Sequence, residues 1–180
     1  ETDNPNYLFL YVNILPDATP GKFDIILNFK TAGKKKRRSG DLVIPYELRE
    51  RREGSANREG FSTSDVMYLI TPDRFVNGDP ENDSVEGMED KLNRDDLYGR
   101  HGGDLEGLIG HLDYIADMGF SAIWLNPVVE NDMPRASYHG YAITDYYNID
   151  ARYGTNDDYL RLCKEAEKRG IKIIMDQIMN

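Results

Sequence analysis

The chain has 180 residues, 39% of them apolar, and a formal charge of −10, enough for one large or two small packed domains. An acidic balance disfavours nucleic acid as the main partner. No apolar run approaches the ~20 residues of a membrane span, and the single Cys163 excludes a disulfide framework. The predicted elements begin with strands. Tyr7–Ile14 and Phe23–Phe29 are short and rich in aromatic and β-branched residues. Pro16-Asp17-Ala18-Thr19-Pro20-Gly21 between them is turn chemistry. Leu42–Leu48 reads as a third strand that Pro45 confines to an edge. The basic run Lys34–Arg38, flanked by Gly33 and Gly40 and free of aromatics, reads as a solvated hairpin loop rather than a nucleic-acid patch. Residues 1–48 are thus expected to be the end of a β-sandwich. Residues 49–60 hold no apolar side chain larger than Ala and read as a linker.

From Phe61 the pattern changes. Val66–Ile70, Ala122–Leu125 and Ile171–Met175 are continuous apolar strands. A helix is expected between the first two, with Asp104 as N-cap. Leu105, Leu108, Ile109, Leu112, Ile115 and Met118 would form its inner face, and Gly119 its stop. A second helix opens at Thr155 with Asp158 three residues on, as in a capping box. Tyr159, Leu162, Cys163 and Ala166 would face inward and Gly170 would end it. Cys163 then reads as an inert core thiol. Continuous apolar strands alternating with helices imply a parallel sheet covered by helices. Doubly wound and barrel sheets both satisfy this, and in either the function gathers at the C-terminal strand ends. The segments 71–103 and 126–154 leave those ends and far exceed an ordinary connection of ~2–6 residues. No Gly-x-Gly-x-x-Gly follows a strand, which argues against a dinucleotide site.

The charge is uneven: residues 1–64 hold 11 Lys/Arg and 9 Asp/Glu, residues 65–180 hold 11 and 23. Part of that acidity lies in the first long loop, where Asn77, Asp79, Asn82 and Asp83 fall within seven residues. Hard oxygen donors so spaced suit calcium, although turns collect the same residues for local reasons. The spacing is not that of an EF-hand. The second loop carries Ser137-Tyr138-His139-Gly140-Tyr141 and Thr144-Asp145-Tyr146-Tyr147. Aromatics beside His and Asp suit a sugar, whose apolar face stacks while its hydroxyls are paired; packing at the rim would use the same rings. His101, His111 and His139 lack zinc-ligand spacing.

Taken in order, Val66-Met-Tyr-Leu-Ile-Thr-Pro-Asp-Arg-Phe-Val-Asn-Gly-Asp79, His101-Gly-Gly-Asp104, Ser137-Tyr-His-Gly-Tyr-Ala-Ile-Thr-Asp-Tyr-Tyr147, Tyr153-Gly-Thr155 and Gly170-Ile-Lys-Ile-Ile-Met-Asp-Gln-Ile-Met-Asn180 resemble glycoside hydrolase family 13, the α-amylase family. The likeness is strongest to its neopullulanase, cyclomaltodextrinase and maltogenic amylase branch, and runs from about Phe61 to Asn180. It implies an α/β fold: the first three strands of a (β/α)8 TIM barrel, preceded by the end of an N-terminal β-sandwich. It implies a calcium site of Asn77, Asp79, Asn82 and Asp83, completed by Gly102 and Asp104, so that Asp104 would cap a helix, bind metal, or do both. It implies that Tyr141 stacks under the sugar, that His139 bonds its hydroxyls, and that Asp176 supports the site. Asn180 matches the asparagine of the same motif. Many relatives have Asp after the Gly-Tyr pair; here Ala142 stands there.

The resemblance also implies that the nucleophilic aspartate and the acid/base glutamate follow later strands, beyond Asn180, so no catalytic residue is assigned among these 180. A retaining glycosidase needs two carboxyls ~5–5.5 Å apart. The expected activity of a complete protein is hydrolysis of α-1,4 and α-1,6 bonds in starch, pullulan or cyclodextrins, with this chain inactive alone. A transglycosylase or isomerase on the same scaffold, or a non-catalytic calcium-stabilised glucan binder, are the alternatives. The branch often dimerises through its β-sandwich, which makes a homodimer of the whole protein a candidate assembly, although the sandwich here is incomplete and the sequence does not fix the oligomer. The opening Glu1-Thr2-Asp3-Asn4 has no signal-peptide pattern, and this is compatible with either a secreted or a cytoplasmic product.

Overall fold

A computed structural model describes residues 8–30 and 39–179. Two compact units divide the chain, Glu1–Arg58 and Glu59–Asn180, and the division falls within the expected linker. In the first unit, β1 (Gly21–Lys30) and β2 (Ser39–Leu48) pair antiparallel over ten residues, from Gly21 opposite Leu48 to Lys30 opposite Ser39. Pro45 lies opposite Asp24 in this ribbon, where each strand has a free edge and the missing N–H is tolerated. The strand expected over 7–14 does not form across its described part, 8–14. β-rich composition needs a neighbouring strand to satisfy its amides, and here Leu8, Phe9 and Tyr11 are exposed. The basic run Lys34–Arg38 lies outside the described residues.

The second unit is built on a parallel sheet of β3 (Met67–Ile70), β4 (Ala122–Leu125) and a third strand at 172–175, in that order. Met67, Ala122 and Lys172 stand in register, as do Ile70, Leu125 and Met175. All three strands therefore end level, and the chain leaves them at Thr71, Asn126 and Asp176. The lower ends are tied by Asp65, which accepts hydrogen bonds from Ser62 N, Ser121 Oγ and Lys172 Nζ.

The first crossover is not the single helix expected. It forms α1 (Leu105–Gly110) and α2 (Leu112–Asp117), broken at His111 with φ −116 and ψ 13. Gly110 ends the first piece, and the His111 ring pairs with the carbonyl of Gly107 at 2.8 Å. Glycine is the weakest ordinary helix former, and the imidazole takes a carbonyl the helix would otherwise use. The apolar spacing nevertheless holds across the break, since Leu105, Leu108, Leu112 and Ile115 are all fully buried, while Met118 is exposed. Gly119, at φ 87, turns the chain out of the helix.

Between β4 and the next helix lies a feature the pattern did not show. A short antiparallel ribbon pairs β5 (Val129–Glu130) with β6 (Asp145–Ile149). Then α3 (Asn156–Glu167) starts with the full capping box: Thr155 accepts from Asp158 N while Asp158 accepts from Thr155 N. Gly170, at φ 70, closes the turn into β7 (Lys172–Met175). The core between sheet and helices joins Ile70, Ile123 and Leu125 to Leu108, Leu112, Leu162 and Ala166. Cys163 is half-buried on α3, and burial raises its thiol above the ordinary range although a hydrogen bond with Tyr159 opposes this.

Candidate functional site

Two clusters lie in the loops that follow β3, β4 and β7. The first surrounds the His101–Asp104 turn. Asp104 is completely buried. Its Oδ1 accepts from the amides of Gly107 (2.7 Å) and Gly78 (3.0 Å), and its Oδ2 from Asp79 N (2.7 Å) and Asn82 Nδ2 (3.4 Å). Of the two roles expected for it, the carboxylate performs capping and loop anchoring, with both oxygens engaged by N–H groups. The buried Asp73, overlooked in the sequence reading, holds the other side of the turn: it accepts from His101 N (2.9 Å) and Gly102 N (3.2 Å).

Asn77, Asn82, Asp83 and Gly102 come together in this frame. Asn77 Nδ2 donates to Asp83 Oδ1 at 2.6 Å. Gly102 has φ +85, and a Cβ there would stand 2.2 Å from Asp83 Oδ1 and 2.8 Å from Asn77 Nδ2. The Oδ1 atoms of Asn77 and Asn82 are both buried without a hydrogen-bond partner. Two orphaned amide oxygens beside a carboxylate and a glycine backbone are a hard-donor set, and leaving them unpaired costs roughly 1–3 kcal/mol each. Asp79 Oδ1 instead accepts from Glu81 N at 3.1 Å, capping a short turn over Pro80–Asn82. Among the described residues no three His, Cys, Asp or Glu side chains group as metal ligands, so any ion here would depend on amide and main-chain oxygens.

The second cluster sits where β4 and β7 end. Tyr141 Oη donates to Asp176 Oδ2 at 2.9 Å. Loss of water around the phenol, then the hydrogen bond and charge of Asp176, raise the Tyr141 hydroxyl above its ordinary range. The Tyr141 ring lies 5.8 Å from that of His139, at 27°, and half of Tyr141 is exposed. His139 Nδ1 accepts from Tyr141 N at 2.9 Å. The neutral ring then carries its proton on Nε2. Asn126, at the end of β4, donates to His139 O (3.3 Å) and accepts from Thr71 Oγ1 (3.3 Å). Thus the ends of β4 and β7 touch this pair and the end of β3 reaches it through Asn126, while Asn180 lies outside the described residues.

A buried ionic scaffold supports the loop, and sequence reasoning missed it. Arg152 donates to Asp150 through Nε (2.8 Å) and an Nη (2.7 Å), and to the carbonyls of Asp90 and Asn131. Burial alone would raise the Asp150 carboxyl; the hydrogen bonds and charges of Arg152 and Arg100 outweigh it and hold the group below its usual range. Arg100 donates to Ser137 Oγ (3.1 Å) and lies 4.6 Å over the Tyr153 ring, whose hydroxyl donates to Tyr138 O (2.7 Å). The Ser137–Tyr141 segment is therefore held from below by groups spread over 60 residues of sequence.

The fold and site define a class: an α/β scaffold presenting an aromatic–carboxylate floor at the C-terminal ends of parallel strands, as barrel enzymes do. The family description "Alpha amylase, catalytic domain" matches residues 69–180, and "Cyclomaltodextrinase, N-terminal" matches residues 1–52. The chain belongs to the alpha-amylase family, glycoside hydrolase family 13, and its second unit is the opening of that family's barrel. It is 36% identical over 155 residues to Neopullulanase 2 of Thermoactinomyces vulgaris, covering 84% of this chain and 25% of that protein. It is 40% identical over 121 residues to the cyclomaltodextrinase of Thermoanaerobacter pseudethanolicus, covering 66% and 20%. The crystal structure of an Anoxybacillus alpha-amylase superposes with a TM-score of 0.57 at 47% identity, covering 63% of this chain and 23% of that one. The chain thus spans a quarter or less of the length of these relatives; of the Beta/alpha-amylase of Paenibacillus polymyxa, 42% identical, it covers 9%.

Proposed function

We propose that these residues serve a retaining α-glucan hydrolase, acting on α-1,4 or α-1,6 bonds of starch, pullulan or cyclodextrins. The observation that carries this reading is the Tyr141–His139–Asp176 group at the strand ends. A half-exposed ring with a pinned hydroxyl offers one face to the apolar side of a glucose ring. The His139 Nε2–H and the Asp176 carboxylate are placed to pair with hydroxyls. The names and identities of the neopullulanase and cyclomaltodextrinase relatives support an α-glucan as the substrate. Retaining hydrolysis needs an acid and a nucleophile ~5–5.5 Å apart. We assign neither role here: Asp176 Oδ2 accepts hydrogen bonds from both Tyr141 and Trp124, which suits a supporting group.

In the same reading calcium is held by the Oδ1 atoms of Asn77 and Asn82, by Asp83 and by the Gly102 carbonyl, with Asp79 beside them. Asp104 orders the cradle through amides rather than binding the ion. The two orphaned buried amide oxygens support this set. Self-association through the first unit is proposed on its likeness to the N-terminal domain of the cyclomaltodextrinase branch, which often dimerises there. Analytical ultracentrifugation before and after replacing Phe29 and Leu42 by polar residues tests it.

Release of reducing sugar tests the activity. A whole-length protein carrying these residues should hydrolyse pullulan or cyclodextrin, and Tyr141→Ala should raise KM by roughly tenfold or more, since a stacked aromatic contributes about 1 kcal/mol and its buried area more. The 180-residue chain alone should release nothing. Hydrolysis by the isolated chain, or an unchanged KM in Tyr141→Ala, would sink the reading.

A further inference from the structure

Trp124 is the one tryptophan of the chain, and strand alternation sets it on the sheet face opposite the helix-packed core. On β4, Ala122, Ile123 and Leu125 are fully buried, whereas Trp124 is 39% exposed. An indole N–H is a donor with no acceptor capacity, and a partly buried one seeks a partner. Trp124 Nε1 finds Asp176 Oδ2 at 3.3 Å, the same oxygen that accepts from Tyr141 Oη at 2.9 Å. Among the described residues no hydrogen bond reaches Asp176 Oδ1. The backbone sets this up: Trp124 stands opposite Ile174 in the parallel ladder, and the amide of Asp176 donates to Leu125 O at 3.3 Å. The third residue of one strand therefore lies beside the residue just after the next.

We infer that Trp124 is a positioning residue for glucan binding, acting through Asp176. Its N–H and the Tyr141 hydroxyl fix the carboxylate by one oxygen from two sides. That presents Oδ1 to the cleft and pins the Tyr141 ring in one plane for stacking. Two donors converging on one oxygen from different directions restrict rotation about the carboxylate bond more than either alone. A carboxylate so held loses little conformational freedom when a sugar hydroxyl docks, and preorganisation of this kind is expressed in affinity. The inference rests on the reading of Tyr141 as the sugar platform.

The test is a double-mutant cycle in the whole-length protein with a non-hydrolysable thio-linked maltooligosaccharide, its Kd measured calorimetrically beside KM and kcat on pullulan. Trp124→Phe keeps the ring and removes the donor, and should weaken binding roughly tenfold, the loss expected for a hydrogen bond to a charged acceptor. In the Asp176→Ala background the same substitution should change Kd by less than about twofold, because the group it acts on is gone. Replacing the indole by its benzothienyl isostere at position 124 keeps the volume and loses only the N–H. It should reproduce the Trp124→Phe loss without lowering the melting temperature, and this covers the case in which Phe folds poorly. Additive losses in the cycle, or an isostere that binds as well as tryptophan, would overturn the inference. If instead Tyr141→Ala leaves Kd unchanged, the platform reading itself fails.

Discussion

Asp104 shows how much one carboxylate can organise. It is fully buried and satisfies N–H groups at Gly78, Asp79 and Gly107 together with the Asn82 amide. Three of these belong to a loop more than 20 residues earlier in the chain. Asp104→Ala would strand several buried donors at once, and a cost on the order of 3–5 kcal/mol follows, more than an ordinary lost N-cap; urea denaturation should show it, with Asp104→Asn intermediate. Asp65 gives the clearest dependence on pH. The hydrogen bond from Lys172, then those from Ser62 and Ser121, hold its carboxyl at about 2, below its ordinary value of 3.8. A depressed carboxyl stabilises the fold fully above its unfolded value and loses that contribution as pH falls through the folded one. Urea midpoints should therefore drop between about pH 4 and pH 2, and Lys172→Met should flatten this acid limb while leaving the slope near neutrality unchanged. An identical acid limb in the variant would refute the link. Asp104 and Asp158 as caps, and the oxygen-rich turn of 77–83, were legible in the sequence, because caps and turns have local spacing. Asp73, Arg100 and the Asp150–Arg152 pair were not: their other partners lie about 20 to 60 residues away, and no periodicity marks a buried charge in a loop.

At the scale of elements, close approach explains the glycines. A Cβ on Gly107 would stand 2.0 Å from Val76 O, and one on Gly78 would stand 2.3 Å from Gly107 N. The loop after β3 therefore lies directly on the first turn of α1, backbone against backbone, with no room for a methyl group. Gly107→Ala is expected to lower the melting temperature although alanine is the better helix former, because overpacking costs typically about 1–3 kcal/mol. Gly110→Ala serves as the control: a Cβ there meets nothing within 4 Å, so it should be neutral or stabilising by up to ~1 kcal/mol. If both variants behave alike, the interlock carries no energy. The same region shows where periodicity misleads. Leu105 to Ile115 kept a helical apolar face through a chain that breaks at His111, because both pieces pack on one surface and the pattern records only burial. The β5–β6 ribbon stayed invisible for the opposite reason. Two residues, Val129 and Glu130, are too few to show alternation, and their pairing with a strand 15 residues on depends on the loop between them.

On the scale of the molecule, the three parallel strands were readable as continuous apolar runs, and their adjacent order β3–β4–β7 follows from two successive crossovers. What the strands present is a rim: one loop builds a cradle of amide oxygens, the other the aromatic–carboxylate floor proposed to hold a sugar. The cradle and floor are linked mechanically, since Asp73 leaves the end of β3 to hold the His101–Gly102 turn, while Thr71, two residues earlier, bonds Asn126 beneath His139. A cation bound in the cradle would therefore stabilise the whole second unit rather than one loop. A ligand that binds only the native state contributes RT ln(1 + [L]/Kd), about 2.7 kcal/mol at a hundred times Kd, which at about 2–4 °C per kcal/mol for a domain of 150–250 residues is a shift of roughly 5–11 °C. EDTA should lower the melting temperature of the whole-length protein by that amount, and added calcium should restore it. The paired substitution Asn77→Ala and Asp83→Ala should melt lower than the parent and lose its response to EDTA. Magnesium should restore less than calcium, because it demands near-octahedral geometry and keeps its waters, whereas two amide oxygens, one carboxylate and a glycine carbonyl form an irregular shell. A full EDTA response in the paired variant would place the ion elsewhere and return Asn77 and Asn82 to a purely structural turn.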